Sequence, residues 1–170
     1  MNTKKIKVVA TDVDGVLTDG KVFYFKGKLY RSFNIKDGVA FLLLKLAGIQ
    51  TVIISAKRSE ETKQRFSELM VDCYLEGIKN KLSAMEKFML NKKVKWDEIC
   101  YIGDDLQDIP LMKKAGLSTA PYDGCKEVKK IADYVCKQRG GDGVFREVAV
   151  MILKGKGVWK NTLKSYLDSL

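Results

Sequence analysis

Four stretches of this 170-residue chain hold residue types that could do chemistry together: DVDG (12–15), ISAK (54–57), Lys81 in GIKNKL, and GDDLQD (103–108). Asp12 and Asp14 are two apart, so in extended geometry their side chains share a face. Gly15 then lets the chain turn sharply. Two neighbouring carboxylates in a basic protein need a cation or a proton between them. Asp104 would bring a third carboxylate, and oxygen-only ligands with room for water suit Mg²⁺. Lys81 could neutralise an anionic ligand, Ser55 offers a hydroxyl, and turn amides could hold phosphate oxygens. Such a set fits phosphoryl transfer, which relies on positioning and charge neutralisation. A carboxylate can itself be the nucleophile.

The rest of the composition narrows the alternatives. The chain has no histidine, which excludes Ser-His-Asp and Cys-His catalysis and histidine metal sites. Its four cysteines, Cys73, Cys100, Cys125 and Cys136, form no CxxC pair and read as reduced thiols. Lys and Arg total 31 against 21 Asp and Glu, a formal charge of +10. The lysines are scattered, without an arginine cluster interleaved with aromatics, so no nucleic-acid partner is expected. No apolar run approaches the roughly 20 residues that cross a bilayer. The basic, then apolar, start MNTKKIKVVATD runs straight into acids with no small-residue cleavage site. The expectation is therefore a cytoplasmic protein without a membrane partner.

Elements must bring those residues together. Short apolar runs at 6–11, 49–55, 71–75, 98–103 and 117–121 read as buried strands. Between them, amphipathic segments at 39–48, 59–70, 80–93 and 108–116 read as helices. CKEVKKIA, DYVC, GVFREVAVMILKG and WKNTLKSYL add a helix, a strand and two C-terminal helices. Strands alternating with helices predict a three-layer, Rossmann-like α/β domain over residues 1–170 with a parallel sheet. A β-hairpin insertion at about 20–34 follows the first strand, entered through an Asp19-Gly20 turn, and a C-terminal tail covers about 138–170. The hairpin carries apolar groups on both faces, so either its own domain or other subunits must bury it. In an open parallel sheet, ligands bind beyond the carboxyl ends of the strands, where the acids, Ser55 and the start of the Lys81 helix all fall.

DVDGVLTDG, IISAKRS, Lys81 and GDDLQD resemble the four motifs of the haloacid dehalogenase superfamily. The resemblance implies that Asp12 is the nucleophile. It makes Asp14 the acid–base group, protonating the leaving alkoxide and then activating water. Asp12, the main-chain carbonyl of Asp14, and Asp104 would hold Mg²⁺, with Ser55 and Lys81 on the phosphoryl group. Asp105 would support the metal or touch it, and Asp108 would cap the next helix or orient the lysine.

FNIKDG, YIGDDLQDIPLM and RGGDGVFREV narrow the resemblance to small phosphatases without a cap domain that act on sugar-acid phosphates. It spans roughly residues 5–153. These are homotetramers whose hairpins join between subunits, in a branch serving lipopolysaccharide precursor synthesis. By that resemblance Asn34, Ile35, Lys36, Asp37, Gly38, Lys57 and Arg65 line the substrate site, and Arg146 reaches a neighbouring one. The usual Ser/Thr-Gly-Arg is Ser55-Ala56-Lys57 here, and Leu42 stands where a basic residue is expected. Lysine keeps the charge but loses the bidentate fork. An eight-carbon acid phosphate is the expected substrate, favoured by Lys36-Asp37-Gly38, with a nine-carbon sialic-acid-type 9-phosphate as the alternative. A signalling receiver domain shares these residue types but places its adjacent acid pair first. A non-catalytic tetramerisation module would not keep Asp14, Lys81 and Asp104 intact.

Overall fold

The computed structural model describes residues 2–170. Its centre is a strand with no polar residue before its last position, β1 (Val8–Thr11), buried throughout. Strands buried on both faces read as near-continuous apolar runs, as do β6 (Ile99–Ile102) and, after Gln50 and Thr51, β4 (Gln50–Ile54), which flank β1 in parallel. With β5 (Cys73–Leu75), β7 (Leu117–Ala120) and β8 (Tyr134–Val135), the six strands run in the order β5-β4-β1-β6-β7-β8, every pair parallel.

The helices cover both faces. On one side, α1 (Ile35–Leu46), α6 (Val144–Gly155) and α7 (Trp159–Leu167) pack on Val9 and Ile53, with Phe41 and Phe145 stacked at 4.1 Å. Phe66 of α2 (Glu60–Glu68) joins that core. On the other side, α3 (Lys81–Lys92), α4 (Ile109–Met112) and α5 (Lys126–Ile131) meet Val8, Ala10 and Tyr101. Period-two alternation along β1 thus sorts its side chains between two cores. The expected three-layer architecture without a cap domain holds.

The chain leaves β1 toward β4 and leaves β6 toward β7, so the strand order reverses between these neighbours. Ligands of open α/β sheets bind at that kind of switch point; Asp12 directly follows β1, and Asp104 follows β6 after Gly103. Outlying register is pinned by the same device twice. Asp72 accepts from the Thr51 N–H and hydroxyl (2.8 and 3.0 Å), and Asp133 does so from Ser118 (2.8 and 2.9 Å).

Two boundaries differ from the sequence reading. Helix α1 starts at Ile35 rather than residue 39, because the Asn34 side chain caps it by accepting from the Lys36 N–H. Helix α4 is one turn long rather than spanning 108–116: a 3-10 turn holds Leu106–Asp108, and at the far end the Gly116 N–H bonds to Trp96 O at 2.8 Å instead of continuing the helix. Strands β2 (Phe23–Phe25) and β3 (Lys28–Tyr30) form the expected hairpin, turned by Lys26 and Gly27, both at positive φ (48° and 73°). This hairpin is a separate two-stranded sheet with Phe23, Tyr24, Phe25 and Tyr30 exposed. No helix among the described residues is long and apolar enough to cross a membrane.

Candidate active site

The first loop is built around Asp12. Its N–H continues the sheet ladder to Ile102 O (3.0 Å), and its Oδ1 accepts from the Val13 N–H (2.7 Å). The Val13 carbonyl then accepts from Leu17 and Thr18, closing a compact turn. Gly15 sits in that turn at φ +86°, where a side chain would run into the Asp104 carboxylate. Glycine is therefore required for the first loop to pass beside the fourth-motif acid.

Lys81 opens α3, and Asn80 caps the helix by accepting from the Ser83 N–H at 3.0 Å. The Lys81 ammonium lies between two acids, in contact with Asp12 Oδ2 and 2.7 Å from Asp108 Oδ1. Burial opposes its charge, but Asp12 and Asp108 outweigh that effect and raise it above the usual lysine value. Asp108 is fully buried with both oxygens engaged. Oδ1 also accepts from the Tyr101 hydroxyl (2.6 Å), and Oδ2 accepts from the N–H groups of Asp104 (3.0 Å) and Asp105 (3.3 Å). Of its two expected roles, orienting Lys81 is the one its contacts serve; it makes no side-chain cap for α4.

Asp12, Asp104 and Asp108 each offer an oxygen within 4.8 Å of the others. With Asp108 committed, the cation-seeking atom is Asp104 Oδ1, which is buried and without a partner. Burial, then Asp108 and Asp12, push the Asp104 carboxyl up to about 8. Burial likewise raises Asp12 to about 6 despite Lys81. An orphaned oxygen in an all-oxygen donor set fits a hard divalent cation. Asp105 is exposed and turned to the Leu106 N–H (2.8 Å).

The Asp14 carboxylate faces a residue that sequence reasoning missed. Arg31 donates to both of its oxygens, Nε to Oδ1 at 2.6 Å and Nη2 to Oδ2 at 3.3 Å. Lys57 Nζ approaches Oδ2 at 3.9 Å. This leaves the main-chain carbonyl of Asp14 for the metal role that the resemblance implies.

These groups open onto a cavity of about 250 Å³ lined by Asp12, Asp14, Ser55, Lys57, Asp104 and Asp105, with Gly20, Ala56 and Gln107 completing it. Ser55 is buried, its Oγ accepting from the Lys57 N–H at 3.2 Å. Gln107 Nε2 donates to Asp12 Oδ2 at 3.3 Å. Arg31, Tyr101 and Gln107 were not singled out from sequence. A lone tyrosine in the otherwise aliphatic run before GDD was the one available signal.

The remaining expected substrate residues lie outside this cavity. Asn34 to Gly38 form the cap and first turn of α1, with Ile35 and Lys36 exposed and Asn34 Nδ2 donating to Gly141 O at 3.2 Å. Asp37 turns inward, only 3% exposed, and accepts the Arg146 N–H. Gly38 packs by Leu69 and Arg65. Arg65 pairs with Glu68 at 3.1 Å beside a separate groove that also contains Leu42. Arg146 sits in the first turn of α6.

Residues 77–148 match the family model of haloacid dehalogenase-like hydrolases. The 3-deoxy-D-manno-octulosonate 8-phosphate phosphatase of Haemophilus influenzae is 37% identical over 98% of this chain and 94% of its own length. The crystal structure of the Moraxella catarrhalis phosphatase of that name, with a magnesium ion, a phosphate ion and a KDO molecule, superposes with a TM-score of 0.93. It is 31% identical, over 97% of this chain and 95% of that one. The cobalt-bound Haemophilus influenzae deoxy-D-mannose-octulosonate 8-phosphate phosphatase gives 0.89 at 36% identity, over 94% of each chain.

Proposed function

Because the chain belongs to the haloacid dehalogenase-like hydrolases and is a phosphoric monoester hydrolase, we propose that it hydrolyses 3-deoxy-D-manno-octulosonate 8-phosphate to the free sugar acid and phosphate. It uses Mg²⁺ and passes through an aspartyl phosphate at Asp12. The observation that carries this reading is that Asp12, paired with the buried Lys81, and Asp104, with an unpartnered oxygen, line one cavity.

In the first half-reaction the Asp12 carboxylate forms a bond to phosphorus as the bond to the sugar's terminal oxygen breaks. Asp14 gives that oxygen its proton. In the second half, Asp14 takes a proton from water, the hydroxide adds to phosphorus, and Asp12 leaves as the free carboxylate. Lys81, held by Asp108, balances the charge on Asp12 and on the phosphoryl oxygens. The Ser55 hydroxyl and nearby turn amides bind those oxygens. Mg²⁺, when bound by Asp12, Asp104 and the Asp14 carbonyl, neutralises developing charge on the phosphoryl group.

Lys57, the basic residue among those lining the cavity, is the group to meet the sugar-acid carboxylate. The exposed aromatic hairpin supports assembly with further copies of the chain, four in the resembling enzymes. Such assembly would bring Arg146, and neighbours' residues, toward open sites. The reading implies a cytoplasmic enzyme in lipopolysaccharide precursor synthesis, with no nucleic-acid or membrane partner.

The test is Mg²⁺-dependent phosphate release from eight- and nine-carbon 2-keto-3-deoxy acid phosphates, beside neutral sugar phosphates. The eight-carbon substrate should lead. A lead for the nine-carbon 9-phosphate would move the assignment to the sialic-acid type, and a neutral-sugar preference would refute it. Asp12→Asn should fold and lose turnover, and full activity there would remove the aspartyl-phosphate step.

A further inference from the structure

Arg31 is the residue immediately after β3, yet its side chain is only 4% exposed. Taking a guanidinium out of water is costly unless its N–H groups are matched. Here they are matched by the acid–base carboxylate itself, and by Thr62 Oγ1 of α2, which accepts from Nη1 at 3.4 Å. The planar fork fixes both position and tilt of a carboxylate, which a single contact cannot do. It occupies one lone pair on each Asp14 oxygen and leaves another on each for exchange with the cavity. Asp14, 22% exposed, lines that cavity.

We propose that Arg31 is a positioning residue for the reaction, aiming the Asp14 carboxylate at the leaving oxygen and then at the attacking water. This rests on the reading of Asp14 as the acid–base group. It makes the base of the hairpin part of the catalytic apparatus, anchored through Thr62 to α2.

The test compares substrates that differ in their need for an acid. An alkyl phosphate, here the eight-carbon sugar-acid phosphate, needs its leaving oxygen protonated; p-nitrophenyl phosphate does not. Asp14→Asn should lower kcat/KM for the sugar phosphate by about 10²–10⁴, as loss of general acid–base catalysis does, and should lower kcat/KM for the aryl ester far less. Arg31→Ala should give the same split at about tenfold or more, and Arg31→Lys should recover part of it. In an Asp14→Asn background, Arg31→Ala should add less than about twofold, because paired groups are not additive. An equal loss on both substrates, or a full additional loss in the double variant, would overturn the positioning role. If Asp14→Asn itself shows no split, the acid–base reading of Asp14 fails instead. Should Arg31→Ala not fold, Arg31→Lys keeps the buried charge and carries the same comparison, where no split overturns the proposal.

Discussion

Asp37 Oδ1 accepts the backbone N–H of Arg146 at 2.8 Å, across 109 residues of sequence. Helix α6 begins after Gly143, which has no side chain to cap it. The carboxylate from α1 supplies the missing cap, since any acceptor that reaches the first-turn N–H groups can satisfy them. Its second oxygen is buried without a partner, and burial pushes the carboxyl up to about 6.

That cap predicts a pH signature. Asp37 binds its proton more tightly folded than unfolded, so its contribution is full below about pH 4 and is lost as pH rises through about 6. At about 1.4 kcal/mol per pH unit, the window is worth about 2 to 3 kcal/mol. Asp37→Asn should remove this slope while keeping an acceptor for Arg146. Urea unfolding of both proteins at pH 4.5 and 7 measures it; parallel curves would show that Asp37 does not titrate there.

Tyr101 shares Asp108 Oδ1 with Lys81. Tyr101→Phe keeps the ring in the core and removes the donor. The expected cost is about 1–2 kcal/mol of stability, with kcat about tenfold lower because the lysine loses part of its support. Steady-state kinetics beside thermal melts read both. Unchanged kcat would confine Tyr101 to packing.

Protons should compete with the metal. With the Asp104 carboxyl pushed up to about 8 by burial and neighbouring acids, binding Mg²⁺ below that pH must displace a proton. Affinity should strengthen about tenfold per unit from pH 6 to 8 and then level. Titration calorimetry in two buffers of different ionisation enthalpy also counts the released proton. A flat affinity would mean that Asp104 is already ionised in the metal-free protein.

Gly140 abuts the first loop so closely that a methyl group would meet the Gly15 carbonyl. Gly140→Ala should therefore cost about 1–3 kcal/mol by overpacking. It should also lower kcat, since the displaced loop carries Asp12 and Asp14. Denaturant midpoints with turnover numbers test this, and wild-type kinetics would detach the glycine tail from the site.

Phe23→Glu with Phe25→Glu should reduce the molar mass seen by light scattering, with circular dichroism unchanged, because both side chains are exposed on a free hairpin. A wild-type protein of monomer mass, or a mass that the substitutions leave unchanged, would refute assembly through the hairpin.

How much was legible follows from which interactions are local. The buried strands show as apolar runs, and each acid, serine or lysine that follows one must emerge near the carboxyl edge of a parallel sheet. Asp12, Ser55, Lys81 and Asp104 could therefore be gathered from spacing alone. The start of α1 was misplaced because Asn34 competes as a cap against a segment that also reads as a loop.

Sequence by itself determined the fold class, the order of strands and helices, and the central acids and lysine. Periodicity and chain direction are properties of neighbouring residues. Only the tertiary structure decided which acid keeps a free oxygen, which spends both on Lys81 and backbone, and which is forked by Arg31. It also turned Asp37 from the cavity to the end of α6. The pairings with Arg31, Lys81 and Arg146 join segments 17 to 109 residues apart. There, burial and the matching of donors to acceptors set each role, and spacing along the chain carries no record of them.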